Sequence, residues 1–91
     1  MVTVMLVLAQ IHFLRKNYAR SLDLYKKILA TAKQLPPRGR LGMAYCFFYL
    51  GKYEMARACF QRLLNLEPHC IEALIGIATV YDREEDPRGY F

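Results

Sequence analysis

Two stretches decide the fold: KNYARSLDLYKKIL at residues 16–29 and GKYEMARACFQRLL at residues 51–64. Laid over each other at an offset of thirty-five, Tyr18 falls on Tyr53, Ser21 on Ala56, Tyr25 on Phe60, Ile28 on Leu63 and Leu29 on Leu64. The match extends upstream at a spacing of thirty-four or thirty-five, where Leu8-Ala9, Met43-Ala44 and Ile77-Ala78 correspond. His12, Phe47 and Tyr81 share one position of the repeat. Self-similarity at such a period marks a chain built from stacked copies of one supersecondary unit.

The unit is a helical hairpin. Within residues 53–66, Met55, Ala56, Cys59, Phe60, Leu63 and Leu64 form one stripe, with Glu54, Arg57, Gln61 and Arg62 outside it. That is the pattern of a helix with one face against a core. Gly51 can take the positive φ that ends a helix tightly. Pro68 closes the next helix, and Pro36-Pro37 separates the first hairpin from the second. Ala9, Ala44, Ala56 and Ala78 are small enough to let helix backbones approach. The spacing predicts helices at 3–15, 18–33, 38–50, 53–66 and 71–82. The expected fold is all-α, an open superhelical array over residues 1–82. Residues 2–35 form the first unit, 37–70 the second, and 71–82 the first helix of a third. Residues 83–91, broken at Pro87, read as a frayed or disordered tail.

Composition fits a small domain that does not cover itself. The chain has 91 residues, of which 55 % are hydrophobic and 23 % charged. So much apolar surface in so short an array calls for more chain or a partner, and the isolated chain is expected to be loose or self-associating. The opening run MVTVMLVLAQIHFL is too short to span a bilayer and is interrupted by Gln10 and His12. It lacks the basic start and the small-residue cleavage site of a secretory signal, so it reads as a buried first helix.

Charge is unevenly placed. Residues 1–66 hold eleven Lys/Arg against Asp23 and Glu54, while residues 67–91 hold Arg83 and Arg88 against six acids, which together give the net +5. A basic body fits an acidic partner or nucleic acid, but the charges are interspersed in the manner of solvated helix faces. Binding to nucleic acid is therefore expected to be non-specific and weak, with no RNA-recognition signature beside the aromatics.

No catalytic constellation is present, so the chain does not read as an enzyme and no cofactor is implied. It has no Ser–His–Asp, Cys–His or paired-carboxylate set on one face and no glycine-rich phosphate loop. Cys46, Cys59 and Cys70 are odd in number and form no C-x-x-C pair, which points to a reducing compartment. Cys46 and Cys59 read as small buried residues. His69 beside Cys70 lacks the second ligand pair of a zinc site. His12, at an aromatic position, reads as a core histidine.

The order large–small pair, aromatic, Gly, Tyr, Ala, aromatic, Pro resembles the tetratricopeptide repeat. In residues 37–70 it is carried by Met43, Ala44, Phe47, Gly51, Tyr53, Ala56, Phe60 and Pro68. The first unit has Lys16 in place of the turn glycine and Ser21 in place of Ala. In such arrays the first helix of each hairpin lines a concave face. By repeat position that face carries Leu6, Gln10 and Phe13, then Leu41, Tyr45, Phe48 and Tyr49, then Ile75, Thr79 and Asp82. Chaperone-binding members hold a client carboxylate with Lys and Asn at positions filled here by Leu6, Gln10, Leu41, Tyr45, Ile75 and Thr79. The resemblance therefore implies a groove for an apolar peptide or helix rather than a carboxylate clamp. Leu6, Phe13 and Leu41 fit packing on neighbouring helices equally well.

Three stretches are similar to a narrower family: SLDLYKKIL at 21–29, RLGMAYCFFYLGKYEMARACFQRLLNLEP at 40–68 and IEALIGIA at 71–78. They resemble the large tetratricopeptide subunits of the RNA polymerase II-associated factor (PAF) complex, over most of residues 8–80. Arg40-Leu41-Gly42, Cys46-Phe47 and the run from Leu50 to Pro68 carry that resemblance. It implies a nuclear scaffold that couples transcription elongation to histone modification through protein contacts, with other PAF subunits among its partners. Members of that family are far longer, so the chain reads as a segment or truncated product of such an array. Two other readings remain open: a tetratricopeptide adaptor of the cytoplasm, and a basic nucleic-acid-binding module.

Overall fold

The computed structural model describes residues 1–32 and 35–85. They form five helices: α1 Val2–Leu14, α2 Tyr18–Ala32, α3 Pro37–Tyr49, α4 Tyr53–Leu66 and α5 Ile71–Glu85. There is no strand among the described residues. α1 pairs with α2 and α3 with α4. α2 then packs on α3 and α4 on α5, giving one open layered stack of 41 × 29 × 17 Å.

Each hairpin turn is built by the same three backbone bonds. In the first, the N–H groups of Arg15, Lys16 and Asn17 donate to the carbonyls of Ile11, Phe13 and His12. In the second, Leu50, Gly51 and Lys52 donate to Cys46, Phe48 and Phe47. Bonds of this pattern satisfy the last carbonyls of a helix and hold the residue after it in the left-handed region. Gly51 takes φ +81°, and Lys16 takes φ +64° in the same place. The missing glycine changed the cost of the turn, not its geometry.

The core runs along the seams. Ala9, Ala44 and Ala56 are fully buried where helices cross, as expected of small residues there. Ala78 differs: it is exposed, because no described helix packs on that side of α5. Met55, placed on the apolar stripe of α4, is also largely exposed. Between hairpins the close approach comes from glycine. A methyl group built on Gly42 would lie 2.8 Å from Tyr25 Cζ, and one on Gly76 would lie 2.7 Å from Phe60 Cδ1. Each second helix thus presses an aromatic ring into a glycine of the following first helix.

α5 runs on to Glu85, so residues 83–85, assigned to a tail by pattern, are helical. Arg57 of α4 holds this last turn by an ion pair to Glu84, with its guanidinium 5.6 Å from the centre of the Tyr81 ring. Pro87 and the expected break there lie outside the described residues.

Candidate functional site

The nine expected groove residues do not behave alike. Phe13, Tyr45, Phe48 and Tyr49 are brought into one aromatic cluster. Leu6 and Gln10 line a depression of about 390 Å³ between α1 and α3, with Thr3, Gly39 and Arg38 on its walls. Leu41 lines a second, of about 560 Å³, between the start of α3 and the start of α5, with His69, Ile71 and Glu72. Ile75 is exposed on α5, and the Thr79 hydroxyl donates to the Ile75 carbonyl at 2.7 Å.

The cluster has a repeating construction. Phe13 meets Tyr18 edge-on with ring centres 5.3 Å apart, and the equivalent pair Phe48 and Tyr53 lie 5.5 Å apart. Tyr49, at the end of α3, reaches back over the first pair. It stacks on Tyr18 at 4.6 Å and meets Phe13 edge-on at 5.9 Å. Arg83, one repeat later in α5, reaches back over the second pair, with its guanidinium 5.9 Å from the Phe48 ring. A cation over a ring face is attractive for the same reason that a second ring is, since both meet the ring's quadrupole.

This construction corrects one expectation. Phe48 is only 7 % exposed, because Tyr49, Tyr53 and Arg83 cover it, so it acts as core rather than as groove lining. Tyr45 is half-buried with its edge-on contact to Phe60 at 5.0 Å. Burial, with smaller effects of Tyr49, Glu72 and Cys70, raises its pKa and keeps the hydroxyl neutral. Tyr49 is 51 % exposed and is the aromatic of the cluster that a partner can reach most fully. Arg83 was missed by sequence reading because it sat in the presumed tail. Its place one period after Tyr49 was the available signal.

The two thiols whose titration is displaced are both held neutral. Burial pushes the Cys46 thiol up, a hydrogen bond with Ser21 opposing it, and burial pushes the Cys59 thiol up against Arg62 and Arg40. Such thiols stay protonated and are poor nucleophiles. Among the described residues no group of three His, Cys, Asp or Glu side chains could hold a metal ion. No described helix is long and apolar enough to cross a membrane. His12 is partly buried in the hairpin, with Nδ1 buried and without a partner among the described residues.

Helical hairpins repeating at this period, joined by Schellman-type turns and stacked ring into glycine, have the architecture of tetratricopeptide repeats. A tetratricopeptide repeat matches residues 37–70 of the chain. Among curated proteins it is similar to Protein CTR9 homolog of Arabidopsis thaliana, 35 % identical over 81 residues, covering 89 % of this chain and 7 % of that protein. It is also similar to RNA polymerase-associated protein CTR9 of Saccharomyces cerevisiae, 34 % identical over 71 residues, covering 78 % of this chain and 7 % of that protein. The Caenorhabditis elegans protein of the same name is 25 % identical over 72 residues, covering 79 % of this chain and 6 % of that protein. The chain thus spans under a tenth of the length of each of these relatives.

Proposed function

We propose that this chain is a protein-interaction segment of a tetratricopeptide scaffold of the CTR9 kind, working in the nucleus within the PAF complex. Its partners are apolar peptide or helix segments, other subunits of that complex among them. The groove they enter is lined by Leu6, Gln10, Phe13, Leu41, Tyr45, Tyr49, Ile75 and Thr79. The observation that carries the reading is the half-exposed Tyr49, held rigid by Phe13, Tyr18 and Phe48 on the first-helix face. A fixed aromatic with one free face is the usual anchor of a binding hot spot. The similarity to RNA polymerase-associated proteins supplies the setting.

The test uses Tyr49→Ala and the purified PAF subunits, each titrated against the chain. Truncating such an anchor costs about 2 kcal/mol or more, so binding to at least one subunit should weaken roughly thirtyfold while circular dichroism stays unchanged. Binding of no subunit, or binding indifferent to Tyr49, removes the groove reading.

A further inference from the structure

We propose that the cleft between the two second helices, α2 and α4, is a docking site for an acidic, aliphatic segment of a protein partner. The site goes beyond the groove and uses none of its residues. α2 and α4 each pack on α3, but among the described residues they do not meet each other. α3 therefore forms the floor of a cleft whose walls are the second helices of the two hairpins.

Within the cleft is a hole of about 90 Å³. Leu29 of α2, Leu35, Arg40 and Met43 of α3, and Cys59 and Arg62 of α4 line it. Leu35 and Arg40 also border a wider trough of about 500 Å³, completed by Ala32, Pro36, Pro37 and Leu66. An apolar cavity of about 150 Å³ takes up a benzene ring. The smaller hole therefore suits a branched aliphatic side chain and not an aromatic one, and the trough beside it has room for a second apolar residue.

Charge defines what comes between them. Among the described residues no acid lines either depression, and Arg40 and Arg62 are their only charged groups. Arg40 Nε donates to the Leu35 carbonyl at 2.9 Å, which fixes the guanidinium and leaves its Nη groups for another acceptor. Arg57 has Glu84, but neither Arg40 nor Arg62 pairs with an acid among the described residues. Both act on the Cys59 thiol, opposing the upward push of burial, so the two guanidiniums stand around one hole. Like charges gathered there repel each other. A carboxylate between them relieves the repulsion and accepts charge-assisted bonds from guanidinium forks that match its shape. A nucleic-acid phosphate would meet the same arginines, but its bases would find no aromatic ring in the lining to stack on. The partner that fits is a chain with an acidic residue flanked by aliphatic ones. The excess of Lys and Arg over acids in residues 1–66 draws such a segment in.

Selecting a displayed library of random linear peptides on the full chain tests this. It should return a class of peptides with Asp or Glu flanked by Leu, Ile or Val. Against a synthetic peptide of that class, Arg62→Gln should weaken binding by at least about tenfold. Arg62 is exposed, so the helices should persist, which circular dichroism checks. Arg40→Gln should weaken binding similarly, but it also gives up the bond to Leu35, so Arg62→Gln decides. Replacing the peptide's acid by its amide should match the effect of Arg62→Gln, and the two changes together should cost little more than either. Tyr49→Ala should leave this affinity unchanged, so failure here and failure of the groove are separately visible. Bound peptide should slow the reaction of half-buried Cys59 with N-ethylmaleimide, read by mass spectrometry, and leave Cys70 unaffected. The proposal is overturned if the peptide class does not emerge, if its binding ignores Arg62 or needs Tyr49, or if Cys59 stays unshielded. An oligonucleotide that displaces the peptide at physiological salt overturns it too.

Discussion

The two hairpins share one geometry but not the residues that make it. At four equivalent positions the first has His12, Lys16, Ser21 and Tyr25 where the second has Phe47, Gly51, Ala56 and Phe60. Three of the four put a polar or charged group where the second hairpin has an apolar or unstrained one. The fourth adds a hydroxyl to a core ring. The turn bonds and the aromatic pairs at 5.3 and 5.5 Å are nevertheless preserved. The second hairpin is built by local preference. The first is held in the same shape by packing against it, with α2 lying on α3. The first hairpin should therefore open first, and substitutions that make the two alike should narrow the gap.

The largest effects belong to the glycines under the two rings. Gly76 faces the edge of Phe60, a fully buried ring with no free end to move. Gly76→Ala should detach α5, at an overpacking cost of about 1–3 kcal/mol, read as loss of hydrogen-exchange protection confined to α5. Gly42 faces instead the hydroxyl end of Tyr25, which is nearer the end of its lever. Gly42→Ala should cost less, partly offset by a helix-propensity gain of about 1 kcal/mol. Equal losses at both sites would show that ring chemistry does not distinguish the interfaces.

Much of this architecture was legible in the sequence, for a physical reason. Hairpins are local, and the offset of thirty-five displays their spacing directly. The five helices and both turns follow from Gly51, Pro36-Pro37, Pro68 and the apolar stripes. Gly42 and Gly76 were also readable, being one period apart. The fate of Phe48 was not readable. Periodicity puts it on one face with Tyr45, and only the cover supplied by Arg83 and Tyr53 makes Phe48 core. The last turn of α5 escaped for a similar reason, since Arg57 holds it from twenty-seven residues away. Contacts that close over a surface from another helix leave no local trace.

The turns provide a reciprocal test. A residue with a Cβ in the left-handed region costs about 1–2 kcal/mol, and the open space around Gly51 means that only this cost applies there. Lys16→Gly should stabilise the first hairpin by about 1 kcal/mol, and Gly51→Ala should destabilise the second by a similar amount. Denaturant midpoints of the two variants should move in opposite directions. If Lys16→Gly moves nothing, its side chain makes a compensating contact and the first hairpin is not strained.

His12→Phe should act in the same direction as Lys16→Gly. His12 Nδ1 is buried without a partner among the described residues, a condition that typically costs about 1 kcal/mol or more. Phenylalanine is the residue used at the equivalent position, Phe47, which is buried. The substitution should raise the melting temperature by roughly 4–8 °C for each kcal/mol gained. A fall would mean that the imidazole makes a bond that phenylalanine cannot replace.

Ser21→Ala should have the smallest effect, and of the opposite sign. Ser21 is fully buried, and its hydroxyl donates to the Ala9 carbonyl at 2.7 Å, tying α2 to α1. Ser21 also opposes the upward push of burial on the Cys46 thiol of α3. The second hairpin manages with Ala56 at this position, fully buried and without any such bond. Ala9 lies mid-helix and its carbonyl keeps its place in the α-helical ladder, so removing Ser21 leaves no carbonyl orphaned. The loss should thus stay near the lower end of a hydrogen bond's net worth, about 0.5–1 kcal/mol, seen as a small drop in the urea midpoint at unchanged slope. A loss several times larger would mean that the first hairpin depends on this bond for its closure, and that the polar residue there is a requirement of the hairpin rather than a tolerated variation.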